Sequence, residues 1–352
     1  MKTAIVCGAG GFIGYHLVNR LKKEGYFVWG IDRKLPEFGT SSADKFDIKD
    51  LRYAPLDFNP WIDEVYQFAA EMGGASYIFT GENDAEIMRN STLINLNVLE
   101  ACRRAKVGKV FFSSSACIYP DFVQSRPDSA SLKEVQAYPA RPDSNYGWEK
   151  LYAERLYDAY RSNYGLCVRV GRLHNVFGPL CTWQHGREKA PAAICRKVAQ
   201  AVDGGTIDIF GDGKQTRSFL YIDEAIEGIL RLMRSEVSVP VNIGSSEMVS
   251  INQLVHMVAD IAGKRIEINH IHGPQGVRGR SSDNTFVQEK LDWSPSAPLV
   301  LGLEKLYHWI ESEVMRNSTP REDKTQPLPV TGEAFGYDKT KDRYFEPNQG
   351  AD

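Results

Sequence analysis

The run Thr3-Ala-Ile-Val-Cys-Gly8-Ala-Gly-Gly11-Phe-Ile-Gly14, continued by Tyr15-His-Leu-Val-Asn-Arg-Leu-Lys-Lys-Glu-Gly25, decides the fold. A short apolar run directly before a glycine turn reads as a buried strand, and apolar residues at helical spacing closed by Gly25 read as a helix. Strand, glycine turn and helix are the start of a dinucleotide-binding unit. Gly8 permits the tight turn, Gly11 lets the backbone approach a pyrophosphate, and Gly14 allows the helix to pack closely on the strand. The helix N-terminus, with Phe12 and Ile13 in its first turn, faces the phosphates. A second strand, Tyr26-Phe-Val-Trp-Gly-Ile31, ends in Asp32. A carboxylate there accepts hydrogen bonds from the adenosine ribose and repels a 2′-phosphate, which favours NAD over NADP, with Arg33 tempering the preference. The plain alternative is a glycine turn with no ligand.

Outward from that unit, a third strand is expected to bring Asp50 and Leu51 to the adenine edge. Glu64-Val-Tyr-Gln-Phe-Ala69-Ala70 reads as a strand running into small residues, where Ala69 lets the chain pass close to the cofactor. Glu71 to Gly81 reads as a flexible loop over a site, Thr92 to Ala105 as an amphipathic helix containing Asn97, and Lys109 to Phe112 as a strand. Strands alternating with helices imply an α/β fold, a Rossmann-type doubly wound parallel sheet with ligands at the carboxyl ends of its strands. From Leu180 the pattern changes to a smaller C-terminal α/β substrate domain. Residues 1–175, with 218–245 returning, are assigned to the NAD-binding domain, and 176–217 with 246–316 to the substrate domain. Thr206 to Phe210 and Gly211 to Phe219 read as a hairpin-like connection, Tyr221 to Met233 as a helix, and Val239 to Gly244 as a strand. Ser250 N-caps a helix to Ala262, and the last helix covers about Leu301 to Met315. Residues 317–352, polar and Pro-bearing without a period, are expected to form a mobile tail.

The chemistry is concentrated between Phe112 and Lys150. Tyr146-Gly-Trp-Glu-Lys150 places a phenol and an ammonium on one helical face, an acid/base pair in which the cation is expected to lower the phenol pKa from about 10. Ser115, in Ser113-Ser-Ser-Ala-Cys117-Ile-Tyr-Pro120, would hold a sugar hydroxyl for Tyr146. Taken alone, the Tyr/Lys spacing also arises by chance. In the second half, Arg187, Lys189, Arg196, Lys197, Lys214, Arg217, Arg278 and Arg280 fall in loops or helix starts. An anionic diphosphate needs such partners, although loop charges are often simply solvated. The formal charge of −3 gives no footprint for nucleic acid. No run of about 18 apolar residues suggests a membrane span, and nothing reads as a signal peptide, so a cytoplasmic location is expected. The six cysteines contain no C-x-x-C pair, so neither metal nor disulfides are expected.

Gly8 to Gly14, Asp32, Ser115, Tyr146, Lys150 and Asn175-Val-Phe-Gly-Pro179 together resemble the extended short-chain dehydrogenase/reductases that act on nucleotide sugars, over residues 3–315. Longer strings narrow the resemblance to the branch that epimerises GDP-mannose at C3 and C5. These are Ala70-Glu-Met-Gly-Gly74, Ser114 to Pro120, Gly186 to Lys197, Gly211-Asp-Gly-Lys-Gln215-Thr-Arg217-Ser-Phe219 and Gly276-Val-Arg-Gly-Arg280. The resemblance implies tightly held NAD, oxidation at C4 with Tyr146 as base supported by Lys150, and a ketone that acidifies the C3 and C5 protons. It places the proton carriers of the two faces on Cys117 and Lys189, and substrate contacts on Gly73, Ser115, Asn175, Glu188, Lys189, Lys197, Gln215, Arg217 and Arg280. It also implies GDP-L-galactose as product, GDP-L-gulose from inversion at C5 alone, and a homodimer formed through helices near 92–105 and 148–160. Ala75-Ser76 departs from the Met-Gly usual in that branch. A sugar-nucleotide 4-epimerase would leave Cys117 and Lys189 idle, a 4,6-dehydratase would want carboxylates where Ala116 and Cys117 stand, and a non-catalytic NAD-sensing module would not need Tyr146 and Lys150.

Overall fold

The computed structural model describes residues 1–129, 131–318, 337–338 and 343–344. Its strands are β1 (Thr3–Cys7), β2 (Phe27–Asp32), β3 (Lys45–Ile48), β4 (Glu64–Gln67), β5 (Lys109–Ser115), β6 (Val168–Leu173), β7 (Val176–Phe177), β8 (Gly205–Phe210), β9 (Thr216–Ser218), β10 (Leu220–Tyr221), β11 (Val241–Ile243), β12 (Met248–Ser250), β13 (Ile266–Ile271) and β14 (Gly279–Arg280). The helices are α1 (Phe12–Lys23), α2 (Ala75–Ile78), α3 (Asp84–Ala105), α4 (Asn145–Tyr164), α5 (Ala190–Gln200), α6 (Ile222–Arg234), α7 (Ile251–Ala262), α8 (Thr285–Leu291) and α9 (Leu299–Ser318).

The central sheet has the order β11-β6-β5-β4-β1-β2-β3, and its pairs are all parallel. Its inner strands are apolar on both faces because helices cover both. Leu17, Leu21, Ile226 and Ile229 of α1 and α6 lie in the core of one face, and Val98, Leu99, Ala153 and Tyr157 of α3 and α4 in that of the other. The strand order reverses between β1 and β4, and it is at this switch that the carboxyl ends open a crevice for ligands. This is the Rossmann-type architecture expected. A third core joins Cys195 and Val198 of α5, Ile207 and Ile209 of β8, Leu254 and Val258 of α7, and Leu303 and Ile310 of α9.

Several local expectations are corrected. β8 does not form a hairpin with the segment after it. Gly211 and Gly213 turn the chain away at φ 74° and 66°, β8 pairs in parallel with β13, and β9 pairs antiparallel with β12. A parallel partner requires a crossover, which α7 supplies, so the pairing joins residues about sixty positions apart. α3 begins at Asp84 rather than Thr92, and the loop over the site contains the short helix α2. β3 ends at Ile48, so Asp50 and Leu51 follow the strand rather than lie on it. Ser250 does cap α7, with Gln253 returning the bond to its amide. Tyr337–Asp338 pairs antiparallel with Arg343–Tyr344, and the rest of the segment expected to be a mobile tail, beyond Ser318, lies outside the described residues. No helix among the described residues is long and apolar enough to cross a membrane.

Candidate active site

A cavity of about 320 Å³ opens at the switch point and is lined by Gly8, Gly11, Phe12, Ile13, Gly14, Asp32, Asp50, Leu51, Ala69, Tyr146 and Lys150. These are all the residues expected at the cofactor. A methyl group on Gly14 would stand 2.1 Å from the Gly8 carbonyl oxygen, and one on Gly8 would stand 2.8 Å from the Ala69 nitrogen, so backbone on backbone demands glycine at both. Gly11 would meet only the Gly8 carbonyl oxygen, at 3.3 Å, which leaves its outer side free for a ligand. It N-caps α1 without a side-chain bond, so the first-turn N–H groups face the cavity available to an anion. Asp32 accepts from the Gly10 amide at 3.0 Å, and burial pushes its carboxyl up against these backbone bonds. Asn97 donates to the carbonyls of Leu51 and Arg52 and fixes the far wall, a task the sequence did not reveal. The cradle, the open helix end and the braced carboxylate fit NAD.

Tyr146 and Lys150 lie in the first turns of α4, which Ser144 caps by accepting from the Gly147 amide. Gly147 is needed because a methyl there would stand 2.2 Å from the Cys117 carbonyl oxygen. That close approach brings the helix against the turn Ala116–Ile118 that ends β5, where the Ser115 hydroxyl accepts from the Cys117 amide at 3.2 Å. Lys150 Nζ donates to the Ser113 carbonyl at 3.0 Å and lies 5.8 Å from the Tyr146 ring centre. The electrostatics correct the expectation from spacing. Burial pushes the Tyr146 phenol well above its ordinary range, with the Ser115 bond pulling it back, and burial presses the Lys150 ammonium down. Sealed from water, each group resists its own ionisation.

Tyr146 is shared with a second cavity of about 420 Å³, lined also by Gly73, Ser115, Cys117, Asn175, Glu188, Lys189, Lys197, Gln215, Arg217 and Arg280. The two cavities meet at Met72, Gly73, Tyr146, Lys189 and Pro191. Burial lowers the Lys189 ammonium, while the charges of Cys117 and then Cys181 act in the opposite sense. Thus every expected catalytic and substrate residue reaches one of two adjoining cavities.

The eight bases divide sharply. Arg187 pairs with Glu71 at 3.2 Å, Arg196 with Glu188 at 2.9 Å, Arg278 with Asp212 at 3.0 Å and Arg280 with Asp143 at 2.9 Å. Lys214 and Arg278 line neither cavity. Lys197 donates to the Asp208 carbonyl at 2.5 Å, and Arg217 to the carbonyls of Thr216, Gln275 and Val277. Carboxylates reach them only at longer range, Asp208 and Glu188 for Lys197 and Asp143 for Arg217. Burial and then the charge of Arg280 press Arg217 down to about 9, still a cation at neutral pH. Two cations in one cavity whose hydrogen bonds go to carbonyl oxygens form an anion site. Glu188 Oε2 and Gln215 Oε1 are buried there without a partner among the described residues, acceptors left for hydroxyl or amino donors.

Sequence reasoning missed Asp143, Gln124 and Glu71. Arg280 uses each nitrogen of its fork differently: Nε donates to Gln124 at 2.5 Å, Nη2 to Asp143, and Nη1 lies 3.2 Å from Cys117 Sγ. Only the position of Asp143 just before the Ser144 cap could have drawn attention to it.

The family model described as the NAD dependent epimerase/dehydratase family matches residues 4–244. The chain is 45% identical over 322 residues to the GDP-mannose 3,5-epimerase of Arabidopsis thaliana, covering 90% of this chain and 84% of that protein. It is also 45% identical over 331 residues to GDP-mannose 3,5-epimerase 1 of Oryza sativa subsp. japonica, covering 93% and 85%. Among solved structures, the UDP-glucuronic acid 4-epimerase of Bacillus cereus in complex with UDP-glucuronic acid and NAD superposes with a TM-score of 0.74 at 27% identity, covering 89% of this chain and all of that one. With its glycine cradle, its Tyr/Lys helix and these matches along nine-tenths of its length, the chain belongs to the NAD dependent epimerase/dehydratase family, within the nucleotide-sugar branch of the extended short-chain dehydrogenases.

Proposed function

We propose that the protein epimerises GDP-D-mannose at C3 and C5 through a 4-keto sugar, yielding GDP-L-galactose, with GDP-L-gulose from inversion at C5 alone. The observation that carries this reading is the meeting of the two cavities at Tyr146 and Lys189, with Cys117 lining the same sugar cavity. The 45% identical GDP-mannose 3,5-epimerases support the choice of sugar and base. Gly8, Gly11 and Gly14 would hold NAD, which would supply a reversible hydride acceptor for C4 with no net redox. Tyr146 takes the C4 hydroxyl proton only as phenolate, the form that burial disfavours and the Ser115 hydrogen bond favours, and Ser115 holds that hydroxyl. Lys150, anchored on the Ser113 carbonyl, holds its amine 5.8 Å from the phenol ring, where its protonated form offsets the charge of a phenolate. Once C4 is a ketone, the C3 and C5 protons are acidic, and inversion needs removal on one face and return on the other. Cys117 and Lys189 perform these transfers, burial favouring the neutral, proton-accepting form of Lys189. Lys197 and Arg217 hold the diphosphate, and Gly73, Asn175, Glu188, Gln215 and Arg280 shape the sugar pocket.

The same reading makes the enzyme a cytoplasmic homodimer. Trp148 and Tyr152, one turn apart on α4 and 43% and 47% exposed, support a dimer face on that helix. Incubation with GDP-mannose in heavy water, followed by NMR of the recovered nucleotide sugar, tests the reaction. Deuterium at C3 and C5, lost in Cys117→Ala, is the expected result. Absence of exchange at both carbons, with interconversion of a UDP-sugar at C4, would replace this reading by a 4-epimerase.

A further inference from the structure

Glu71 is a carboxylate on the wall of the cofactor cavity, only 8% exposed, and the reaction as proposed has no use for it. Its Oε1 accepts from the Tyr77 hydroxyl at 2.9 Å and from Arg187 Nη1 at 3.2 Å, and its Oε2 accepts from Asn90 at 3.3 Å and lies 3.8 Å from Arg33. Its own amide is tied to the Ser91 hydroxyl at 3.0 Å, so the carboxylate is fixed to the body of α3. The two arginines come from different parts of the chain. Arg33 directly follows Asp32 at the ribose end, whereas Arg187 belongs to the loop that ends in Lys189.

Further contacts join the same two segments. The Arg187 guanidinium lies over the Tyr77 ring at 4.1 Å, and Ser76 Oγ donates to the Gly186 carbonyl at 2.8 Å. Gly74 passes so close to the Glu188 carbonyl oxygen that a methyl group there would stand 2.2 Å away. Segment 71–77 and loop 182–189 are therefore laced together along the boundary that the two cavities share, and Met72, Gly73 and Lys189 lie on that boundary. Thr182, Arg187 and Lys189 line the cofactor cavity together with Glu71, Met72 and Gly73. A dinucleotide leaving past this wall must part the laced segments.

We propose that Glu71 is a positioning residue for cofactor retention: by pairing with Arg187 it straps loop 182–189 across the dinucleotide and keeps NAD bound between turnovers. The chemistry gives such a strap a purpose. A reaction that lends a hydride and takes it back is aborted whenever the reduced cofactor escapes with the ketone still in place. The strap also ends at Lys189, so the pair that retains the cofactor sets where that amine stands. This inference rests on the dinucleotide reading of the first cavity and not on the identity of the sugar.

The test uses the full chain loaded with radiolabelled NAD, freed of excess, and followed as label is lost into unlabelled NAD with no sugar present. A wrong choice of sugar therefore cannot affect it. Glu71→Gln and Arg187→Gln are each expected to speed release about five- to tenfold, the worth of a partly exposed charged hydrogen bond. The double variant is expected to release no faster than the quicker single one, because both substitutions cut one interaction. Arg187→Lys, which keeps the charge, should restore part of the retention, a rescue that a merely structural role would not produce. Arg187 is 44% exposed, so its variants report even where Glu71→Gln folds poorly. Release at the wild-type rate in Arg187→Gln, or effects that multiply in the double variant, would overturn the proposal.

Discussion

Replacing Asp143 by asparagine isolates the cost of leaving Arg280 without its counter-charge behind the sugar cavity. The two side chains are 4% and 8% exposed and 2.9 Å apart. Removing one partner of a buried pair costs about 3–5 kcal/mol, because the surviving charge stays desolvated. The asparagine side chain would retain the shape and one acceptor, and Gln124 would still hold Nε, so the lower end, about 3 kcal/mol, is expected. At about 2 °C per kcal/mol for a chain of this size, the melting temperature should fall by about 6 °C. Urea unfolding of the cofactor-free protein, read against calorimetry, measures it. Adding Arg280→Met removes the orphaned cation and should return stability to within about 1 kcal/mol of wild type, although the sugar pocket is then altered. A loss below about 1 kcal/mol in Asp143→Asn, the worth of a solvent-screened pair, would refute the reasoning. So would a double variant less stable than the single one.

Lys189→Met should abolish deuterium exchange on one face of the sugar yet stabilise the protein. The folded pKa of this amine is lowered, so the unfolded chain binds more protons and wild-type stability rises with pH up to about 10.4, a slope that Met removes and that thermal scans across pH would reveal. Gly14→Ala forces a methyl against the Gly8 carbonyl oxygen, an overpacking that costs about 1–3 kcal/mol and should yield protein purified without NAD, as absorbance will show. Arg217→Met should raise KM for the nucleotide sugar about tenfold or more, whereas Arg278→Met, already neutralised by the exposed Asp212, should leave it nearly unchanged.

The Rossmann-type half was legible because its signals are local: an apolar run, the glycines at 8, 11 and 14 and a helical period lie within 25 positions, and a carboxylate stands just beyond. Tyr146 and Lys150 were legible for the same reason, since the helix period alone puts them on one face. Besides misplaced element ends such as the start of α3, the misreadings involve long-range contacts or burial. β8 looked like half of a hairpin because its partner lies some sixty residues onward, past a helix that nothing in the strand announces. The phenol was expected to be acidified by its lysine, a sound inference from spacing that burial overrides.

What the chain determined by itself is the set of groups able to do chemistry and the order in which strands and helices present them. Which cations are free was decided only by folding. Eight bases looked alike in the sequence, yet Arg187 meets a carboxylate 116 residues away and Arg280 one 137 away, while Lys197 and Arg217 find carbonyl oxygens. A charge is neutralised or available according to its neighbours in space, and those neighbours are set by the packing of loops on a sheet rather than by any period in the chain.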